Sequence, residues 1–485
     1  MPGGGAIVAA VAAGSEEQSG HRGAAGPATA PSHVAATTGP SHMAATTGLF
    51  TDHYELTMLE AALSSGLASR RAVFEVFARS LPPGRRFGVC CGLDRVIDAI
   101  QAFRFGPNEL AYLDRAGVVG PETLAYLEHF RFSGDVWAYP EGELFFPSSP
   151  VLTLDAQWGQ AILLETVVLS ILNHDSAVAS AAARMSIAAG ERALIEMGGR
   201  RTDAEAAVHA ARAAYIAGFA STSNLEAGRT YGIPTAGTAA HAFVLGHATE
   251  AQAFAAQLKT MGTATTLLVD TFDTEQGIRT AVEVAGPGLG AIRIDSGGLA
   301  EAAQKARATL DGLGARGTRI VVSGDLDEWS LLELADAPVD AYGVGTRLVT
   351  GSGHPTAGFV YKLVAQADAE GDDAPVHPVA KLSEHKVTTG GRKRAWRELD
   401  AAGHAVAERA AAERGGGPHG TVEPGSGATD GRVRPLQVQA IKSGRVLHRP
   451  TLAGARSHHL SARAELGPQA LRLDAGPPAL TVDHG

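Results

Sequence analysis

The chain reads as an α/β barrel, closed or nearly so, joined to a smaller α+β domain. Three observations predict it. Short apolar strands recur between about residues 155 and 350 with helical stretches between them, the rhythm of right-handed βαβ units around a parallel sheet. The ends of those strands carry matching polar clusters, where parallel α/β architectures bind their ligands. Leu49 to about Leu154 mixes helix and strand patterns without that alternation. An open doubly wound sheet is the alternative for the regular part.

Composition sets the outer bounds. At 485 residues the chain is too long for one small core, and two or three domains are expected. An apolar fraction of 45% supports a sizeable interior, and a net charge of −10 argues against a basic nucleic-acid-binding face. No run reaches the roughly 18 apolar residues a membrane span requires; the longest candidate, Ala161 to Leu172, is interrupted by Glu165. The apolar run Ala6 to Ala13 has no basic residue before it and reads as low complexity rather than a signal peptide. Cys90 and Cys91, the only cysteines, sit in an apolar run and are expected to be small core residues in a reducing compartment. A cytoplasmic location is expected.

In chain order, residues 1–48 form a low-complexity extension expected to be disordered. They hold a tandem repeat, Pro31-Ser-His-Val-Ala-Ala-Thr-Thr-Gly then Pro40-Ser-His-Met-Ala-Ala-Thr-Thr-Gly, with an alternative start at Met43. Residues 49–154 form the N-terminal α+β domain. Thr51-Asp-His-Tyr-Glu-Leu-Thr-Met opens a helix capped by Thr51 or Asp52. Ala72 to Ala78 alternates like a strand, and Gly134 to Pro140 and Glu143 to Pro147 read as short antiparallel strands with Pro and Gly turns. Residues 155–365 form the barrel. Gln160 to Leu172 is an apolar helix, and Thr202-Asp-Ala-Glu205 has the spacing of a capping box before an Ala-rich helix ending near Gly218. Strands follow at Tyr231–Thr235, Thr266–Val269, Ala291–Ile294, Arg319–Val322 and Ala341–Val344, with a helix at Leu299–Leu313. Residues 366–485 form a C-terminal segment: a basic run from Lys381 to Arg397, a flexible loop at about 413–434, a final strand from Leu436 and an irregular tail from about Ser461.

The strand ends carry the chemistry. Gly237-Thr-Ala-Ala-His241 places N–H groups suited to an anion just before a histidine that can move a proton or accept a phosphoryl group. Asp270-Thr-Phe-Asp273, Arg293-Ile-Asp295-Ser296-Gly297-Gly298, Ser323-Gly324-Asp325 and Gly345-Thr346 stand at the ends of successive strands. One such cluster is an ordinary helix cap; several at equivalent positions imply a shared site. The residue types suit a phosphorylated sugar. Gly345 and Thr346 supply N–H groups and a hydroxyl for phosphate. Asp270, Asp273 and Asp295 suit ribose hydroxyls or Mg²⁺. Arg200, Arg201 and Arg293 suit a carboxylate or pyrophosphate. No Walker motif, zinc spacing or dinucleotide fingerprint is present.

Seven motifs in order resemble the nicotinate phosphoribosyltransferase family: Thr51 to Met58, Glu196-Met-Gly-Gly-Arg-Arg201, Thr222-Ser-Asn224, Gly237 to His241, Arg293-Ile-Asp-Ser-Gly297, Tyr342-Gly-Val-Gly-Thr346 and Lys381-Leu-Ser-Glu-His-Lys386. The resemblance covers most of residues 49–400, with a weaker match near Arg434-Pro-Leu. It implies an irregular α/β barrel of the type II phosphoribosyltransferase kind with a smaller domain, usually in a dimer. It implies joining of nicotinate to phosphoribosyl pyrophosphate with Mg²⁺, driven by ATP through a phosphohistidine at the position of His241. It implies further that Tyr54 stacks on the pyridine ring, often from the partner subunit, and that Arg200 lies near the ring carboxylate or pyrophosphate. Arg293 and Asp295 match ribose and phosphate contacts, and Gly345 and Thr346 the 5′-phosphate cradle. Asp270 is expected among the catalytic residues, with Arg201, Ser223, Thr238, Ser323 and Gly324 binding substrate. Related nicotinamide enzymes carry an aspartate at the position of Ser223, so serine favours nicotinate. His53, Met197, Asn173-His-Asp175 and Thr388-Thr-Gly-Gly391 depart from the family pattern. His174 and His247 read as structural or rim residues. The rival functions are a nicotinamide or quinolinate phosphoribosyltransferase, or a barrel that binds a phosphorylated nucleotide without turning it over.

Overall fold

The computed structural model describes residues 48–371, 374–380, 389–413 and 432–484. The expected disordered extension lies outside them apart from Gly48, as does nearly all of the expected loop at 413–434. The chain divides into two compact units: Arg184–Val349, and the chain on either side of it.

The second of these begins with a helix, His53–Ser65. Asp52 holds the N-cap position but makes no side-chain cap bond; the Thr51 hydroxyl instead donates to Glu55. Strands β1 (Arg70–Ala78), β2 (Gly88–Val89), β3 (Asp135–Ala138), β4 (Leu144–Phe145) and β5 (Leu152–Gln157) follow. The segments at β3 and β4, expected as short antiparallel strands, are such strands, each with its own partners. β3 lies between β5 and a later strand, so both its edges are taken, and β4 pairs with β2. The single helix expected at Gln160–Leu172 is two, Trp158–Ile162 and the long Glu165–Ala189. The cause is a buried carboxylate: Glu55 Oε1 accepts the Thr166 N–H at 2.9 Å and caps a new N-terminus there.

The inner unit carries β6 (Ala193–Glu196), β7 (Ser221–Thr222), β8 (Thr266–Leu268), β9 (Ala291–Ile294), β10 (Arg319–Ser323) and β11 (Ala341–Val344). They form one parallel sheet in the order β7-β6-β11-β10-β9-β8. Passing from β6 through β11 and back to β6, the strands follow chain order around a ring that opens only between β7 and β8. A doubly wound sheet would reverse direction at a switch point; this one does not, and the architecture is a nearly closed α/β barrel. The expected strand Tyr231–Thr235 is not formed. Asn224 Oδ1 accepts from Ala227 N at 2.9 Å and draws Leu225–Tyr231 into a helix. That helix stops at Gly232, whose φ of 69° suits a left-handed cap. What remains of the strand is a single bridge between Thr235 and Thr222. The Ala-rich helix, Ala204–Ile216, is capped by Asp203 rather than by the box from Thr202, because the Asp203 carboxylate accepts from Glu205 N and Ala206 N.

The chain then returns to the α+β unit. β12 (Phe359–Glu370) and β13 (Val376–Pro378) are followed by β14 (Lys393–Leu399), β15 (Ala405–Ala412), β16 (Arg432–Pro435), β17 (Val438–Lys442), β18 (Arg445–Val446) and β19 (Val482–Asp483). A seven-stranded sheet runs β13-β12-β1-β5-β3-β17-β18, and a four-stranded one runs β16-β14-β15-β19. β1 is central and almost wholly buried, which is why apolar residues occupy both of its faces. The strand expected from Leu436 begins at Val438 and is not the final one, since β18 and β19 follow it; the tail expected to be irregular from Ser461 begins inside a helix, Leu452–Ala464. Cys90 and Cys91 are free and buried. Among the described residues no helix is long and apolar enough to cross a membrane.

Candidate active site

The barrel strands end in a connected set of polar side chains. At the end of β8, Asp270 is nine-tenths buried. Its Oδ2 accepts from the Asp295 N–H and the Ser296 hydroxyl, both at 2.8 Å, tying the end of β8 to that of β9. Its Oδ1 is buried with no hydrogen-bond partner among the described residues. Asp295 in turn accepts from the Ser323 hydroxyl at the end of β10. Parallel register makes these meetings possible, since Leu268 pairs with Arg293 and Val322 with Ile294.

His241 opens a short helix, His241–Leu245. Its Nδ1 lies 3.2 Å from the Thr271 hydroxyl and its Nε2 4.0 Å from Asp295 Oδ2. Arg293, inside β9, donates from Nη1 to the Thr238 hydroxyl at 2.5 Å, while its Nε is buried without a partner among the described residues. Burial lowers the guanidinium pKa, Asp295 and Asp270 oppose that, and Arg200 adds to it. Those four charged side chains therefore share one electrostatic neighbourhood. Two cations and two carboxylates close together, with donor and acceptor atoms left over, have the chemistry to meet an external polyanion and its counter-ion.

Arg200 and Arg201 are exposed on the turn that follows β6, and Arg201 N donates to Gly198 O at 2.8 Å. Ser223 is exposed just beyond β7, with its N–H on Glu196 O at 2.8 Å. Ser323 and Gly324 end β10, and Gly345 and Thr346 follow β11, where Leu348 N donates to Gly345 O at 3.1 Å. Asp273 stands apart from this set: its Oδ1 accepts from Gln276 N at 2.8 Å and caps the helix Thr274–Ala285. Among the described residues no three His, Cys, Asp or Glu side chains cluster as a metal site by themselves.

Residues 49–173 match the model of the nicotinate phosphoribosyltransferase N-terminal domain, and residues 193–401 match that of the nicotinate phosphoribosyltransferase family. A nicotinate phosphoribosyltransferase of Mycobacterium tuberculosis is 51% identical over 441 residues, covering 89% of this chain and 94% of the relative. The chain belongs to the nicotinate phosphoribosyltransferase family. A Bacillus subtilis member is 36% identical over 73% of this chain and 74% of its own length. The crystal structure of human nicotinic acid phosphoribosyltransferase superposes with a TM-score of 0.71 at 27% identity, covering 89% of this chain and 97% of that one. Family membership agrees with the barrel and its companion α+β unit.

Tyr54 lies in that α+β unit, 44% exposed on the helix His53–Ser65. Partial burial and the Glu165 carboxylate hold its phenol well above the usual pKa, so it stays neutral. Next to it Glu55 is fully buried and accepts from Thr166 N and Oγ1 and from Thr51. Burial raises its pKa to about 7 against those hydrogen bonds. His174 bonds Asp175 at 2.8 Å, and the exposed His247 bonds the Phe243 carbonyl at 2.7 Å, so both are locally engaged.

Sequence reasoning missed three participants. Thr271 and Ser296 lie inside quoted motifs, but nothing in their spacing shows that one orients His241 and the other holds Asp270. Glu196 closes an apolar strand; only the fold reveals what its carboxylate touches.

Proposed function

We propose that this chain joins nicotinate to phosphoribosyl pyrophosphate, giving nicotinate mononucleotide and pyrophosphate, in a step driven by ATP through phosphorylation of His241. The coarse activity, a nicotinate phosphoribosyltransferase of NAD biosynthesis, rests on family membership. The finer reading rests on one observation: His241, Asp295, Ser323, Asp270, Arg293 and Thr238 form a linked set at the barrel's strand ends, with a buried unpaired carboxylate oxygen and guanidinium N–H.

The reaction needs what this set offers. As pyrophosphate leaves, positive charge develops at the ribose C1, and negative charge grows on the leaving group. Arg200 and Arg293 neutralise the phosphates, and Asp295 and Ser323 orient the ribose hydroxyls. Gly345 and Thr346 hold the 5′-phosphate. The unpaired Oδ1 of Asp270 is a hard oxygen donor that fits Mg²⁺. Asp270 and Asp295 would hold the ion, which supplies charge neutralisation on the leaving pyrophosphate. With Nδ1–H directed to Thr271, the Nε2 lone pair of His241 attacks the γ-phosphorus of ATP and ADP leaves; water later cleaves the phosphoimidazole to release phosphate. Tyr54 stacks on the pyridine ring, contributed by the partner subunit of a homodimer. Ser223, without a carboxylate, leaves room for an acidic base. Two free buried cysteines accord with a cytoplasmic setting.

The test offers nicotinate and nicotinamide separately to the purified chain with phosphoribosyl pyrophosphate and Mg²⁺, each with and without ATP. Nicotinate mononucleotide should form faster with ATP, with one ADP released per product. His241→Ala should keep slow basal transfer and lose the ATP stimulation together with an acid-labile mass gain of one phosphoryl group. Ser223→Asp should shift the nicotinate-to-nicotinamide preference at least tenfold toward nicotinamide. An unchanged preference would remove the role given to Ser223, and equal turnover with and without ATP would remove the phosphohistidine.

A further inference from the structure

Glu196 is completely buried at the last position of β6, between the ends of β7 and β11: it pairs with Thr222 on one side and Val344 on the other. An apolar side chain would continue the strand Ala193–Glu196 at no desolvation cost. A carboxylate there costs desolvation, and burial raises its pKa. Among the described residues no cation is bonded to it; its two oxygens are met by one N–H and one hydroxyl. Oε1 accepts from Gly198 N at 2.5 Å, and Oε2 from Thr222 Oγ1 at 2.5 Å.

Each of those donors leads to a segment that faces the ligand. Gly198 begins the turn that presents Arg200 and Arg201, closed by Arg201 N on Gly198 O. No side chain fits at Gly198, since a Cβ would collide with Val349 and crowd both Glu196 Oε1 and Gly345 O. Thr222, itself fully buried, passes the link on: its Oγ1 accepts from Asn224 N at 2.9 Å, fixing the backbone on both sides of Ser223. The Glu196 carbonyl takes the Ser223 N–H directly. Met197 N, the next residue, is bound to Val344 O at 2.7 Å beside Gly345. One carboxylate thus stands between the arginine turn, the Ser223 loop and the end of β11.

We infer that Glu196 is a positioning residue whose carboxylate, by bonding Gly198 N and Thr222 Oγ1 together, sets the Arg200–Arg201 turn and the Ser223 loop at the spacing that binds nicotinate and phosphoribosyl pyrophosphate. The inference rests on the substrate assignment above. It requires both oxygens as acceptors. A glutamine keeps one and turns an NH₂ toward the Thr222 hydroxyl, which then has no acceptor for its own proton.

The experiment compares steady-state kinetics of Glu196→Gln, Thr222→Val and Thr222→Ser with the wild type, alongside thermal melts. Glu196→Gln and Thr222→Val should raise KM for both substrates at least tenfold with kcat within threefold, because uniform binding is lost. Thr222→Ser, which restores the hydroxyl, should recover wild-type KM. Melting temperatures of folded variants should not order with these KM values. Should Glu196→Gln fail to fold, the Thr222 pair alone decides. Unchanged KM in Thr222→Val, failed rescue by serine, or a fall in kcat at constant KM overturns the inference. A wild type that makes no nucleotide from nicotinate sinks the substrate assignment instead, a result distinguishable from variants that simply behave like an active wild type.

Discussion

Charge is handled in opposite ways in the two units of this molecule. In the α+β unit Arg397 is completely buried, with Nη1 on Glu143 and Nη2 on Glu408, both at 2.7 Å. Glu143 also accepts from Arg434 at 2.7 Å and His458 at 2.8 Å, and Glu408 from Tyr139 at 2.8 Å and from Ser149. Burial pushes the Glu143 carboxyl up, but Arg397, His458 and Arg434 together hold it far below the usual range. At the barrel's strand ends, among the described residues, Asp270 keeps an oxygen without a donor, Arg293 keeps an N–H without an acceptor, and Asp295 faces a histidine across 4.0 Å. Arg397 also keeps a buried Nε without a partner among the described residues, but both its Nη atoms are spent on carboxylates of the same chain, so its charge is met from within and is framework. Buried charge left partly unsatisfied, and converging with like groups, is reserved for something from outside.

The sharpest way to break that contrast is Arg397→Met. It leaves Glu143 and Glu408 facing one another's burial without their shared cation, and should cost on the order of 3–5 kcal/mol of stability. Chemical denaturation of the variant reads it directly; a loss under about 1 kcal/mol would mean the network is ornamental. Asp270→Asn should do the reverse. The amide still accepts from Asp295 N and Ser296 through its oxygen, so stability should stay within about 1 kcal/mol of wild type, while kcat/KM falls roughly a hundredfold. A variant that is active but unstable would move Asp270 into the framework class.

The smallest expected effect concerns Glu55, which has the burial of a framework group but, among the described residues, no cation bonded to it. Its folded pKa of about 7 lies above the ordinary 4.5, so the fold favours the neutral acid. That preference is fully present below about 4.5 and is lost as the pH rises through about 7. Glu55→Gln, a neutral mimic able to accept from Thr166 and donate to Thr51, should therefore raise the melting temperature more at pH 8 than at pH 5. An equal gain at both values would show that Glu55 does not titrate across that window.

Much of the barrel was legible in the residues. Ala291–Ile294 and Ala341–Val344 match the expected strands residue for residue, because short apolar runs bounded by polar clusters have few other uses in an alternating chain. Tyr231–Thr235 has the same local look and forms no strand: the Asn224 cap draws Tyr231 into a helix from outside the segment, and Gly232 within it ends that helix. Asp273 and Asp270 are three apart in one motif, and residue type does not separate them. One caps a helix and the other bridges two strand ends, a distinction made by Gln276 and by residues 25 positions away.

The sequence by itself determined the kinds of element, the polar strand ends and the family, since period, residue type and motif order are local properties of the chain. The partners of β3 and β4, the meeting of Arg397 with Glu143 across 254 positions, and the role of Glu196 were decided only by tertiary structure. The physical reason is that a charge's meaning depends on which donors and acceptors reach it. In a folded chain those come from segments whose separation along the sequence carries no trace of the contact.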